Sequence, residues 1–300
     1  MNSQILVVGS SNTDLIINVG KIPRPGETVM GSAFSTFAGG KGANQAVAAA
    51  RAGGNVSFVC AVGTDDMGTA SLALYEKEKI DTTNVLKTGK SPSGVAMILV
   101  EESGENCIAV APGANGLITP EYVRGLTETV KNSDIILTQL ETPLETVGEL
   151  ISMALHLSKR IILNPAPAVE LPDSLLSGLY CITPNESEAE ILTGIKVKCI
   201  ESATEAAVYL LGKGVENVIV TLGSEGALLC NKNGVNQFPA ERVKPIDTTA
   251  AGDTFNGVLT AMLAAGELLE TAAQTAVKAA TLSVQKEGAI NSIPQRFEYL

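Results

Sequence analysis

Tryptophan is absent from this 300-residue chain, and histidine occurs once, at position 156. Without a second histidine, a Ser-His-Asp hydrolase has a single candidate base and a histidine zinc site is hard to build. His156 lies in a helical-looking stretch with no Ser, Cys or acidic partner at a recognisable spacing, so it reads as structural. Aromatics make up only 4% of the chain against 45% hydrophobic residues, so the core must be built from Ala, Val, Ile and Leu. That mixture suits buried parallel strands covered by helices. No C-x-x-C pair exists among the cysteines at 60, 107, 181, 199 and 230, and their scatter fits reduced thiols in a cytosol. No basic segment precedes the short apolar run in MNSQILVVGSSN, and no stretch approaches the roughly 18 apolar residues of a membrane span. A cytoplasmic protein is the expectation. Positive charge is also in short supply: 21 Lys and Arg face 32 Asp and Glu, a formal net charge of −11. This excludes nucleic acid and anionic membrane surfaces as partners, and any anionic ligand must be held by local groups.

Apolar runs recur with helical segments between them: 5–9, 56–62, 134–140, 160–164, 180–183 and 217–223. The alternation reads as βαβ units and a parallel sheet. Ala-rich helical stretches cover 44–52, 204–211 and 271–285. Two regions break the pattern, 15–31 and 94–111, which read as short β runs punctuated by Pro and Gly; the second carries a hairpin signal at Glu102-Ser-Gly-Glu105. They are expected to form an inserted lid, or equally an extra edge hairpin.

Two apparent phosphate motifs fail. Gly89-Lys90-Ser91 mimics the end of a P-loop but has Asn at 84 where the earlier Gly belongs, and Gly40-Lys41-Gly42 leads to Gln45 rather than a third Gly. The strongest segment is Asp247-Thr-Thr-Ala-Ala-Gly-Asp253-Thr-Phe-Asn-Gly257, which opens an apolar helical run. At a helix N-terminus, unpaired backbone N–H groups and the helix dipole can hold phosphate oxygens, and Ala250, Ala251 and Gly252 leave room for close approach. Asp253 would lie beside that anion. From local chemistry alone it is either a base or an N-cap carboxylate. Gly39 to Ala46 (GGKGANQA) brings small residues, a cation and an amide to a helix entry, where backbone, Lys41 and Asn44 can approach a polyol. A glycine-rich helix start with an exposed lysine is the plainer alternative. Asn12 and Asp14 follow the first strand, the end at which open α/β sheets bind ligands, although an Asx turn also accounts for Asn12.

Together, GGKGANQA (39–46), TPNESEAE (183–190), TLGSEGA (221–227) and DTTAAGDTFNG (247–257) resemble the ribokinase family, carbohydrate kinases that include the fructokinases and adenosine kinase. The likeness runs nearly end to end, from VVGSSNTD through PGETV and APGAN to GAINSIP. The resemblance implies a single kinase domain over 1–300, a three-layer α/β/α sandwich with a mainly parallel sheet, and a small β lid from about 15–31 and 94–111. That lid closes over the sugar and supports a homodimer. It implies ATP-dependent phosphorylation of D-ribose at the 5-hydroxyl, with Asp253 as general base and the amides of Ala250, Ala251 and Gly252 on the transferred group. Asn12, Asp14, Gly40, Lys41, Asn44 and Glu141 would hold the sugar. Asn185, Glu188, Thr221, Gly223, Gly226, Gly252 and Val277 would face ATP, with Mg²⁺ near Glu188. A potassium ion would sit among Asp247, Thr249, Ser283, Lys286, Gly288 and Ser292.

Two positions depart from the pattern: Val277 stands where relatives often carry Asn or His, and Asn291 replaces the proline expected before Ser292. Deoxyribose, fructose or a nucleoside as acceptor, or a non-catalytic sugar-binding role, are the alternatives. A pair such as Asn12 and Asp14 favours a fully hydroxylated sugar, because a site built to bond a hydroxyl can reject the deoxy analogue by roughly 10⁴-fold or more. The scarcity of aromatics counts against a base-stacking pocket.

Overall fold

The computed structural model describes residues 3–300. Eight strands form the main sheet, in the order Gly234–Phe238, Ala227–Asn231, Asn217–Thr221, Cys181–Ile182, Arg160–Leu163, Ile135–Thr138, Gln4–Val8 and Asn55–Val59. The last six run parallel, and the first two form an antiparallel hairpin on the edge. Each of the six apolar runs read from the sequence supplies a strand of this sheet, while the end of the second, Ala61–Gly63, pairs with Leu86–Thr88 in a separate two-stranded sheet. The edge hairpin went unread; its turn is Lys232-Asn233 entering Gly234, whose φ of 124° suits only glycine.

Because side chains alternate along a strand, each one feeds two cores. Ile5 and Val7 pack on one face with Phe58, Leu137 and the helices Lys41–Arg51, Ala251–Ala264 and Leu269–Ser283. Leu6 and Val8 pack on the other with Ile136, Leu163 and the helices Leu144–His156 and Ile200–Gly212. The result is the expected three-layer α/β/α sandwich. His156 is an exposed residue at the end of its helix.

A separate four-stranded sheet has the order Gly31–Gly39, Asn12–Val19, Gly94–Glu101, Asn106–Ala111. The expected β segments 15–31 and 94–111 both contribute to this sheet, and residues 31–39, not expected as a strand beyond Gly31, pair with 12–19 along their length. Most of that strand is exposed, so backbone pairing holds it and no buried apolar face announces it.

Candidate active site

The site forms where two helix N-termini meet the carboxyl ends of the parallel strands. The helices Lys41–Arg51 and Ala251–Ala264 pack closely because of Gly257: a Cβ there would fall 2.5 Å from Gln45 O and 2.4 Å from Ala48 Cβ. This closeness brings Asn44 and Gln45 onto Asp253. Asn44 Nδ2 donates to Asp253 Oδ2 at 2.8 Å, and Gln45 Nε2 donates to Asp253 Oδ1 at 2.9 Å. Asp253 is 7% exposed. It is the third residue of its helix rather than the N-cap; Ala250 occupies the cap position, in the left-handed region at φ 60°, and offers no side-chain acceptor. The first-turn amides therefore have no side-chain cap. Gly252 is exposed, and a Cβ on it would meet nothing within 4 Å, so the space in front of this turn is open.

The glycine turn before Lys41 is equally constrained. Gly40 has φ 90°, and a Cβ on it would lie 2.8 Å from Asn12 N. Glu141 Oε2 accepts from Lys41 N at 2.9 Å and from Ser10 Oγ, so this carboxylate anchors the helix entry with one oxygen. Asn12 is buried, and its Oδ1 accepts from Asn115 Nδ2 at 2.7 Å, which leaves the Asn12 amide nitrogen to donate elsewhere. Asn44 Oδ1 is buried without a partner and can accept.

Charge is concentrated here. Burial raises Asp14 to about 6, with Glu141 and Asp253 adding to the effect and Lys41 opposing it. Burial, the largest influence on Lys41, pulls its ammonium down, but Asp253, Glu141, Glu188 and Asp14 together hold it above the ordinary lysine value. Glu188 is raised, chiefly by burial and further by Asp253, against the Asn185 N–H and Lys41. Lys41 is thus the one cation whose charge is felt from all four carboxylates.

Among the residues expected to face ATP, Asn185 caps the helix Glu186–Thr193 with Glu188 returning the bond, and Asn185 bridges to Thr221. Thr221 leads into the turn Gly223–Glu225, where Gly223 is exposed and Gly226 is packed so tightly that a Cβ would reach Phe238 O at 2.0 Å. Val277, expected to face the nucleotide, is 5% exposed and packs with the core.

The proposed potassium residues form a loop junction. Asp247 Oδ1 accepts from Thr249 N at 2.8 Å and Oδ2 from Gly288 N at 2.9 Å. Burial, the largest influence, would raise Asp247, but the Thr249 hydroxyl together with these amides outweighs it and holds the carboxyl below its ordinary value. Ile246 N and Asp247 N both donate to Val284 O. Ser283 and Ser292 hydroxyls donate to carbonyls of their own helices, and Lys286 pairs with Glu298. Asp247 thereby ties the segment that leads to Ala250 to the chain around Gly288.

Gln45, Gln139, Asn164 and Asn256 belong to the same polar centre and were not singled out from the sequence. Gln139 and Asn164 stand directly after the strands Ile135–Thr138 and Arg160–Leu163. A single polar residue closing an apolar run was the available signal.

Comparison with known proteins agrees with this geometry. The pfkB family carbohydrate kinase pattern matches residues 2–296. A ribokinase of Haemophilus influenzae is 42% identical over 300 residues, covering 100% of this chain and 98% of the relative. A deoxyribokinase of Salmonella typhi is 39% identical, covering 99% and 98%. The structure of Arabidopsis thaliana ribokinase complexed with ribose and ATP superposes with a TM-score of 0.93 at 31% identity, covering 100% of this chain and 98% of that one. The chain belongs to the pfkB family of carbohydrate kinases.

Proposed function

We propose that this protein transfers the terminal phosphoryl group of ATP to the 5-hydroxyl of D-ribose, giving D-ribose 5-phosphate and ADP. The observation that carries the reading is a buried carboxylate, Asp253, held by two amide donors beside an uncapped helix N-terminus. Asp253 accepts the proton of the sugar hydroxyl as the phosphorus is attacked. The amides of Ala250 to Asp253 stabilise charge on the transferred group, and alignment matters more than base strength in so loose a transition state. Asn12, Asp14, Lys41 and Asn44 hold the hydroxyls, with Asp14 and Asn44 Oδ1 as acceptors and Lys41 and Asn12 as donors. Glu141 contributes its remaining oxygen and the placement of the Gly40–Lys41 turn. Asn185, Thr221, Gly223 and Gly226 flank the nucleotide.

Among the described residues no cluster of three acidic, His or Cys groups could hold a metal by itself. Mg²⁺ would arrive on the nucleotide, where it neutralises phosphate charge, and Glu188 would organise it or its water. The hard oxygens around Asp247 fit a weakly held potassium ion that would stiffen the loop before Ala250. Equal activity with sodium, potassium or neither would end that part of the reading.

The four-stranded sheet is the candidate lid. Phe34, Met97, Ile108 and Val110 leave large apolar surfaces exposed on it, which suits a homodimer formed lid to lid. A monomer in sedimentation at micromolar concentration would refute this. Five free thiols, three of them buried, fit a cytoplasmic setting.

The decisive test is ADP release measured with ribose, deoxyribose, fructose and nucleosides. Ribose is expected to give the highest kcat/KM; preference for deoxyribose, the acceptor named for the Salmonella typhi relative, or for a nucleoside would overturn the assignment. Asp253→Asn should lower kcat by at least about 10²-fold while ribose binding stays measurable by calorimetry, and near-normal turnover would remove the base.

A further inference from the structure

Gln45 has no part in the chemistry above, yet it is fully buried and both ends of its amide are spoken for. Nε2 donates to Asp253 Oδ1 and to Asn164 Oδ1, each at 2.9 Å, while Oε1 accepts from Gln139 Nε2 at 2.6 Å. Elementary hydrogen-bond chemistry dictates this orientation. An ionised carboxylate only accepts, so Gln45 must turn its NH₂ towards Asp253. Its carbonyl then requires a donor, and Gln139 supplies one. The consequence falls on Gln139, whose Oε1 is buried with no partner. A buried acceptor left in that condition is unfavourable and rare. It is retained here at the position that supplies the donor to the Gln45 carbonyl and so helps to hold the direction of that amide.

We infer that Gln45 and Gln139 are positioning residues for phosphoryl transfer: Gln139 locks the Gln45 amide, and Gln45 fixes the Asp253 carboxylate in the rotamer that meets the sugar hydroxyl. The inference rests on the reading of Asp253 as the base. A second branch of the same network reaches the other half of the chemistry. Asn164 Nδ2 donates to Thr183 O at 3.3 Å, Thr183 Oγ1 to Asn256 Oδ1 at 2.6 Å, and Asn256 Nδ2 to Gly252 O at 2.8 Å. Gly252 O and Asp253 N belong to one peptide unit, so this branch orients an amide of the anion-binding turn. Gln139, Asn164 and Thr183 each follow the last residue of three neighbouring parallel strands. The ends of the sheet thereby align base and anion turn together.

The test is a double-mutant cycle with Gln45→Met and Gln139→Met, read as kcat and KM separately, with melting curves to establish folding. Gln45→Met should lower kcat by roughly ten- to a hundredfold with KM for ribose and ATP within about twofold. Gln139→Met should lower kcat in the wild-type background and add nothing in the Gln45→Met background, because it acts only through Gln45. The near-isosteric Gln139→Glu should be more damaging than Gln139→Met. A carboxylate at 139 draws the Gln45 NH₂ to itself and turns Oε1 against Asp253. Additive losses, a rise in KM with kcat intact, or equal effects of Glu and Met at 139 would overturn the proposal. Should Gln139→Glu not fold, the methionine cycle decides alone. Asp253→Asn separates the two claims: an active Asp253→Asn variant removes the base, whereas an inactive one beside an additive glutamine cycle removes only the positioning role.

Discussion

Two helices begin at the carboxyl end of the sheet, each with an acid as its third residue, and they use that acid in opposite ways. In Glu186–Thr193 the Asn185 side chain accepts from Glu188 N at 2.8 Å and Glu188 Oε2 accepts from Asn185 N at 2.9 Å, so the helix satisfies its own first turn. In Ala251–Ala264 the cap is Ala250, which has nothing to offer, and Asp253 turns away to Asn44 and Gln45. One N-terminus is closed by its own side chains, and the other leaves its amides without a side-chain cap, as the proposed anion site requires. The contrast teaches that a helix N-terminus becomes a site through what its own side chains decline to do.

The most direct way to break the contrast is to fill the open turn. A Cβ at Gly252 would meet no protein atom within 4 Å, so Gly252→Val should fold with a melting temperature close to that of wild type. It should still lower kcat/KM for ATP by about 10²-fold, because displacement of the reacting group by an ångström has that effect. Wild-type kinetics in this variant would show that phosphate binds elsewhere.

Asp14 tests the same idea on the sugar side, since it too is an acceptor with no internal donor to satisfy it. Its carboxyl is raised from 3.8 to about 6 in the folded chain. Between those values the folded state holds a proton that the unfolded chain has released, so the stability associated with Asp14 falls as pH rises through that window. The loss amounts to about 3 kcal/mol at most and is complete above pH 6. Asp14→Asn should therefore gain stability relative to wild type between pH 4 and 7, as measured by urea titration. Ribose affinity runs the other way, weakening by up to about tenfold per pH unit below 6 as the acceptor is protonated. A pH-independent difference between wild type and Asp14→Asn would refute the shift.

A smaller effect is expected at the closed N-terminus. Asn185→Ala removes the cap and should destabilise by about 1 kcal/mol, or roughly 2 °C in Tm. If Asn185 also touches nucleotide, KM for ATP rises as well; if it is a cap alone, only the melting temperature moves.

Much of this was legible in the residues. The apolar runs announced the six parallel strands, and the small residues of 250–252 marked the open turn. The spacing of Asp253 from that turn did not reveal whether it capped the helix, because capping depends on a side-chain direction set by Gly257 and the neighbouring helix. Residues 31–39 escaped because the strand is mostly exposed, and the edge hairpin because its Asn233-Gly234 turn was not weighed against the apolar run before it. The glutamines were invisible for a different reason. An amide in a buried network has no periodicity, and its partners lie 94 to 208 residues away.

The smallest effect concerns the cap itself. Ala250 is held at φ 60°, a conformation that costs an alanine about 1–2 kcal/mol. Glycine adopts it freely but loses about 0.4–1 kcal/mol through the greater freedom of the unfolded chain. Ala250→Gly should therefore raise stability by less than about 1 kcal/mol, since relief of the strain slightly exceeds the entropic loss. Turnover should not rise with it, because the more mobile glycine lets the Ala251 and Gly252 amides wander from the positions an anion requires. Thermal unfolding followed alongside kcat separates the two effects. A lower Tm would mean that the left-handed alanine is not strained, and a higher kcat that the open turn is not already aligned for its anion.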